Sequence, residues 1–203
     1  MLDYLKYKPV PENHVQPNDI IDREKLGGSF FNNYKDRIVV AQSDTGTGKT
    51  TSFKEYILDI QGNTVDAHYN GYEKPESPFL SIVSRISLGV EQTKIFYQSG
   101  IKCFYHEELT AINKEEHYNM KMWQGDNIVT TIDSLMKFIN FSDFSGYTIF
   151  LDEFNSLIEY LVTCDNLKKN RMPIFRFLIR ILKQADRVIC ADADINEISL
   201  KYL

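Results

Sequence analysis

Apolar positions along this chain fall into two alternating patterns. Short runs rich in Val, Ile, Leu and Phe, bounded by polar turns, read as buried strands at residues 38–42, 79–84, 101–105, 127–131, 147–151 and 187–191. Between them, apolar residues recur at helical spacing over residues 50–60, 88–99, 134–139, 155–162 and 173–184, with a last helix predicted to start near Ile195. Strands alternating with helices of about ten residues predict an α/β fold, a mostly parallel sheet with helices on both faces. Ligands of such sheets bind beyond the carboxyl ends of the strands. Residues 1–35 carry Pro9, Pro11, Pro17 and the pair Gly27-Gly28, together with Tyr4, Tyr7, Phe30 and Phe31. They read as an extended lead-in packed on one domain that occupies residues 36–203. Residues 61–78 read as a long polar loop.

The chemistry concentrates where strands end. The run Ser43-Asp44-Thr45-Gly46-Thr47-Gly48-Lys49-Thr50-Thr51 follows the apolar residues Ile38-Val39-Val40-Ala41 and opens a helix. Strand, glycine-bearing loop, Gly-Lys-Thr and helix together form a triphosphate cradle. Gly46 and Gly48 let the backbone bring N–H groups close to phosphate, and the helix aims the positive end of its dipole at the anion. Lys49 is placed to reach the β- and γ-phosphates of ATP, and the Thr50 hydroxyl to ligate Mg²⁺. The general pattern asks for glycine five residues before Gly48, where this chain has Ser43.

A second apolar run, Thr148-Ile149-Phe150-Leu151, ends in Asp152-Glu153. Behind a Gly-Lys-Thr loop, such an Asp holds Mg²⁺ with Thr50, and such a Glu activates the attacking water. Ser84-Arg85 follows the strand at 79–84, and Thr131 and Ser134 follow that at 127–131, so Arg85, Thr131 and Ser134 are candidate DNA-backbone contacts. Ser134 or Asp133 serves equally as a helix cap. Asp192 ends a further strand beside Asp152 and is a candidate γ-phosphate sensor, while Asp194 reads as a cap for the last helix. Arg176, Arg180, Lys183 and Arg187 recur at helical spacing and read as a solvated face opposite Phe175, Leu178, Ile179 and Leu182.

Composition narrows the field. The 203 residues suit one domain, and 13% aromatics argue against disorder. No apolar run approaches a membrane span, and the N-terminus lacks a secretory signal core, so an intracellular protein is expected. Cys103, Cys164 and Cys190 lack paired spacing and read as free thiols, and the four histidines form no metal pattern. The net charge of −5 leaves nucleic-acid binding to a local patch or a partner domain.

Taken in order, these motifs resemble the first RecA-like domain of a superfamily 2 helicase, and more narrowly the viral origin-binding-protein helicases of herpesviruses and large DNA viruses. The residues that carry the likeness are Thr45 to Thr50; Ile82 to Leu88, similar to motif Ia; Thr131 to Leu135, similar to motif Ib; Phe150 to Leu157, similar to motif II; and Cys190 to Asn196, similar to motif III. The likeness implies an ATP-dependent DNA replication helicase acting at a viral replication site, in the host nucleus or cytoplasm. It also implies a second RecA-like domain that supplies arginine fingers, and other replication proteins as partners. Asp-Glu-Phe-Asn stands where most superfamily 2 helicases have Asp-Glu-x-Asp/His. On this reading residues 36–203 bind Mg-ATP, hydrolyse it weakly or not at all alone, and do not unwind DNA. Two other classes fit parts of the pattern: a nucleotide-gated interaction module that does not turn over, and a small P-loop kinase.

Overall fold

Six strands, β1 (Ile38–Gln42), β2 (Phe79–Val83), β3 (Phe104–Tyr105), β4 (Ile128–Thr131), β5 (Thr148–Asp152) and β6 (Arg187–Asp192), form one sheet in the order β1-β6-β5-β2-β4-β3. Every pairing is parallel. The computed structural model describes residues 26–27, 30–62, 74–109 and 120–195. Most of the lead-in, most of the polar loop at 61–78 and the helix expected beyond Ile195 lie outside the described residues, as do His14, His68 and His117. None of the described helices is long and apolar enough to cross a membrane.

Parallel strands need crossover connections, and helices provide most of them. Helices α1 (Lys49–Gln61), α2 (Ile86–Gln98), α3 (Phe154–Thr163) and α4 (Arg171–Gln184) bury one stripe each. In α1 the stripe is Ser52, Phe53, Tyr56 and Ile57; in α4 it is Ile174, Phe177, Leu178, Ile181 and Leu182. Pro173 falls in the first turn of α4, where its missing N–H costs nothing.

Side chains alternate across a strand, so each strand feeds two cores. One face carries Phe79, Val129, Phe150, Ile189 and Ala191 beneath α1 and α2. There the Phe53 ring lies flat on Phe150, centroids 4.1 Å apart. The other face carries Leu80, Ile82, Ile128, Ile149, Leu151, Val188 and Cys190 beneath α3 and α4. Burying one such side chain contributes roughly 1.5–3 kcal/mol.

The predicted strands are present, with one shortened. Residues 101–103 are buried but outside the ladder, and β3 pairs with β4 only at Phe104 and Tyr105. The helix predicted at 134–139 is a 3-10 helix, Ile132–Phe138. Its buried residues Ile132, Leu135 and Phe138 repeat every three positions, the period of that tighter helix. Thr131 is its N-cap residue and no side chain caps it, so neither Asp133 nor Ser134 takes that role.

Candidate nucleotide-binding site

The loop between β1 and α1 is built from backbone that only glycine adopts without strain. Gly46 has φ 83° and Gly48 has φ 88°, and Gly48 is the N-cap residue of α1. Ser43 continues the sheet, its N–H donating to the Asp192 carbonyl (3.0 Å). Its hydroxyl lies 2.8 Å from that of Thr47, which in turn donates to the Asp44 carbonyl (2.8 Å). Ser43 therefore ties the loop across its own turn, a contact glycine could not make. The lead-in closes the loop from outside: Leu26 N–H donates to Thr47 O (2.9 Å), and Ser52 Oγ donates to Gly27 O (3.1 Å).

Lys49 folds over this loop, its ammonium donating to Ser43 O (2.7 Å) and Asp44 O (3.0 Å). Thr50 turns the other way. Its hydroxyl donates to Asp152 Oδ2 at 2.9 Å, joining two motifs 102 residues apart. The parity of β5 explains the meeting: Asp152 shares its face with Phe150, the face that α1 and α2 cover.

Asp152 is 4% exposed. Burial, the largest influence, raises its carboxyl above the ordinary range. Hydrogen bonds from Thr50, Gln92 and the Glu153 N–H oppose that rise, and the neighbouring Glu153 charge adds to it. Gln92 was absent from the candidates read in the sequence. Its amide donates to Asp152 Oδ2 (2.7 Å) and its Oε1 accepts from Ser81 Oγ (2.7 Å). The available signal was a polar residue on the buried stripe of α2, between Gly89 and Phe96.

Glu153 is the one non-glycine residue with positive φ (52°) among the described residues. A Cβ in that region costs about 1–2 kcal/mol. Both its carboxylate oxygens accept from Arg85 Nη2, at 2.7 and 2.6 Å. The pair is partly solvated, with side chains 63% and 33% exposed. Arg85, expected to meet a phosphate backbone, thus sits beside the candidate water activator.

The remaining candidates separate. Thr131 is buried, Ser134 is half-buried, and Asp44, Thr45 and Thr51 are exposed. Asp192 ends β6 with the parity of Cys190, on the face opposite Thr50. Its carboxylate accepts from the N–H groups of Asn155 (2.6 Å), Ala193 (2.6 Å) and Asp194 (3.2 Å). It closes the start of α3 and its own turn, and does not face the phosphate loop. The basic run is also split. Arg176 and Lys183 are exposed, whereas Arg180 donates to Phe141 O and Ser142 O. Arg187 binds Phe31 O and Tyr34 O and covers the Tyr56 ring.

No family model and no curated protein matches the chain. Solved structures do. A Dbp5 variant of S. cerevisiae bound to Gle1 and IP6 is 12% identical with a TM-score of 0.52, over 82% of this chain and 38% of that one. The Sulfolobus solfataricus SWI2/SNF2 ATPase core in complex with dsDNA is 19% identical with a TM-score of 0.49, over 85% and 31%. Mss116p bound to ssRNA and AMP-PNP is 17% identical with a TM-score of 0.48, over 83% and 34%. The chain spans about a third of each of these longer chains. At such identity the likeness to the Dbp5 structure concerns the fold alone: an α/β, RecA-like P-loop architecture.

Proposed function

We propose that this chain is the ATP-binding domain of a superfamily 2 helicase, and that the whole protein couples ATP hydrolysis to movement on DNA. At its finest, the proposal is a viral replication helicase of the origin-binding-protein type, which rests on the sequence motifs. The observation that carries the reading is the 2.9 Å bond between Thr50 and Asp152 beside the Gly46–Gly48 loop. A hydroxyl and a carboxylate are the hard oxygen donors that Mg²⁺ takes, so the residues fit that ion. When bound, the ion neutralises charge on the phosphates.

The chain's own groups divide the work. Gly46, Gly48 and the first N–H groups of α1 present donors to the terminal phosphates, and Lys49 exchanges the Ser43 and Asp44 carbonyls for phosphate oxygens. Thr50 and Asp152 would hold the metal. Glu153, at the end of β5, accepts the proton of the attacking water once Arg85 leaves its carboxylate. Arg85 is the candidate link to a nucleic-acid phosphate, with half-buried Ser134 beside it in rank; Thr131, which is buried, contributes only if the end of β4 opens.

Calorimetric titration of Mg-ATP into the wild-type chain and into Lys49→Ala tests this reading. Wild type is expected to bind, and the variant to lose tenfold or more, the value of a charged hydrogen bond of about 1.5–3 kcal/mol. Equal and negligible heats from both would overturn it.

The Arg85–Glu153 pair favours a second reading, a nucleotide-gated module that binds without turnover. That reading holds while Arg85 occupies the Glu153 carboxylate; against it, an exposed ion pair is worth only about 0–1 kcal/mol, so a competing phosphate displaces it readily. Under the motor reading, steady-state ATPase rises on adding DNA, and Arg85→Ala raises the DNA-free rate while lowering that stimulation. Absence of turnover with and without DNA supports the module.

A further inference from the structure

Asp152 Oδ2 accepts two side-chain donors, and only one of them, Thr50, belongs to a recognised motif. The other is Gln92 of α2, which is fully buried and bonds to both β2 and β5. An amide can face a carboxylate in two ways, and only the NH2 orientation is attractive. Here the carboxylate, which only accepts, takes the NH2 group, and Ser81, also fully buried, anchors the other end: its hydroxyl donates to Gln92 Oε1. Ser81 shares the parity of Phe79 on β2, so the pleat itself delivers the hydroxyl to the α2 face. A carboxylate has about four lone-pair sites. Thr50, Gln92 and the Glu153 N–H (3.1 Å to Oδ1) occupy three of them.

We propose that Gln92, anchored by Ser81, is a positioning residue that holds the Asp152 carboxylate in the orientation that meets Thr50 and serves a divalent cation. The proposal rests on the nucleotide reading above. It assigns no contact between Gln92 and the metal or the nucleotide. Its effect passes through Asp152 alone, as a hydrogen-bond partner behind a metal ligand does.

The test compares nucleotide affinity with and without Mg²⁺, by calorimetry, in wild type, Gln92→Met, Ser81→Ala and the double variant. Methionine keeps the length and packing of Gln92 and removes the donor. Gln92→Met is expected to need at least tenfold more Mg²⁺ for half-maximal enhancement of nucleotide binding, with metal-free affinity unchanged. Ser81→Ala should shift the same midpoint by less, and the double variant no further than Gln92→Met, since the two residues act as one chain. Equal weakening with and without Mg²⁺, or an unshifted midpoint in Gln92→Met, overturns the proposal. If Gln92→Met does not fold, as judged by near-ultraviolet circular dichroism, Ser81→Ala decides: an unshifted midpoint there overturns it. A wild-type chain that binds nucleotide without any Mg²⁺ enhancement also overturns it, yet leaves phosphate binding by Lys49 standing. A wild-type chain that binds no nucleotide removes the parent reading itself.

Discussion

Asp152 shows how a site residue works against the fold. A carboxyl 4% exposed, with its pKa raised chiefly by burial, carries its charge at a cost to the folded state. Since the folded carboxyl takes up a proton more readily than the unfolded one, the penalty is full above the raised pKa and fades as pH falls through it to the ordinary range. Asp152→Asn is therefore expected to raise the stability of the metal-free chain by roughly 1 kcal/mol at neutral pH, a common trade at functional positions. The gain should shrink in acid. Urea midpoints of both proteins across that range check it; a destabilised variant at neutral pH would contradict the burial argument. Glu153 adds a second cost through its left-handed backbone, and it too sits where chemistry is expected.

Among the helices, α2 makes a close approach to the sheet. It lies against β2, β3 and β4 and carries Gln92 into the site. Its close approach depends on Gly89: a Cβ there would stand 2.7 Å from Tyr105 Cε2 and 3.3 Å from Val83 Cγ2. Gly89→Ala is accordingly expected to destabilise the chain by about 1–3 kcal/mol, despite alanine's better helix propensity. Tyr105→Leu in the same chain should recover part of the loss, because it removes the atom that clashes. Thermal melts of the single and double variants decide; a neutral Gly89→Ala would mean that α2 shifts freely. The 3-10 helix at Ile132–Phe138 shows the converse, where spacing of apolar residues by three set the helix type and displaced the α-helix expected there.

The assembled sheet can be followed through its cysteines. Cys103 and Cys190 are buried, and burial, their largest influence, raises both thiols. Cys164, half-buried after α3, has its thiol lowered, first by a hydrogen bond from Tyr160. The folded chain is expected to react with a thiol reagent once, at Cys164, and three times when unfolded. Mass spectrometry of the modified peptides checks the order. Fast labelling of Cys190 in the native chain would show that β6 is not central, against its pairing with both β1 and β5.

Much of this organisation was legible along the chain because its causes are local. Strand and helix periods arise from contacts within a few residues, so β1, α1, α4 and both faces of the sheet could be anticipated. The glycines of the phosphate loop were readable for the same reason: a positive φ is a property of one residue. The motif pattern also implied that Thr50 and Asp152 meet; the other partnerships across the sheet were not legible. Strand order and register decide that Asp152 meets Thr50 and Gln92, that Arg85 reaches Glu153, and that Asp192 turns to Asn155 instead of the phosphate loop. A shift of one residue along any strand reverses the face of each side chain. The sequence by itself thus determined the elements and the chemistry at their ends; the pairing of those ends into one site, including the buried Ser81–Gln92 chain, was decided only when the strands aligned.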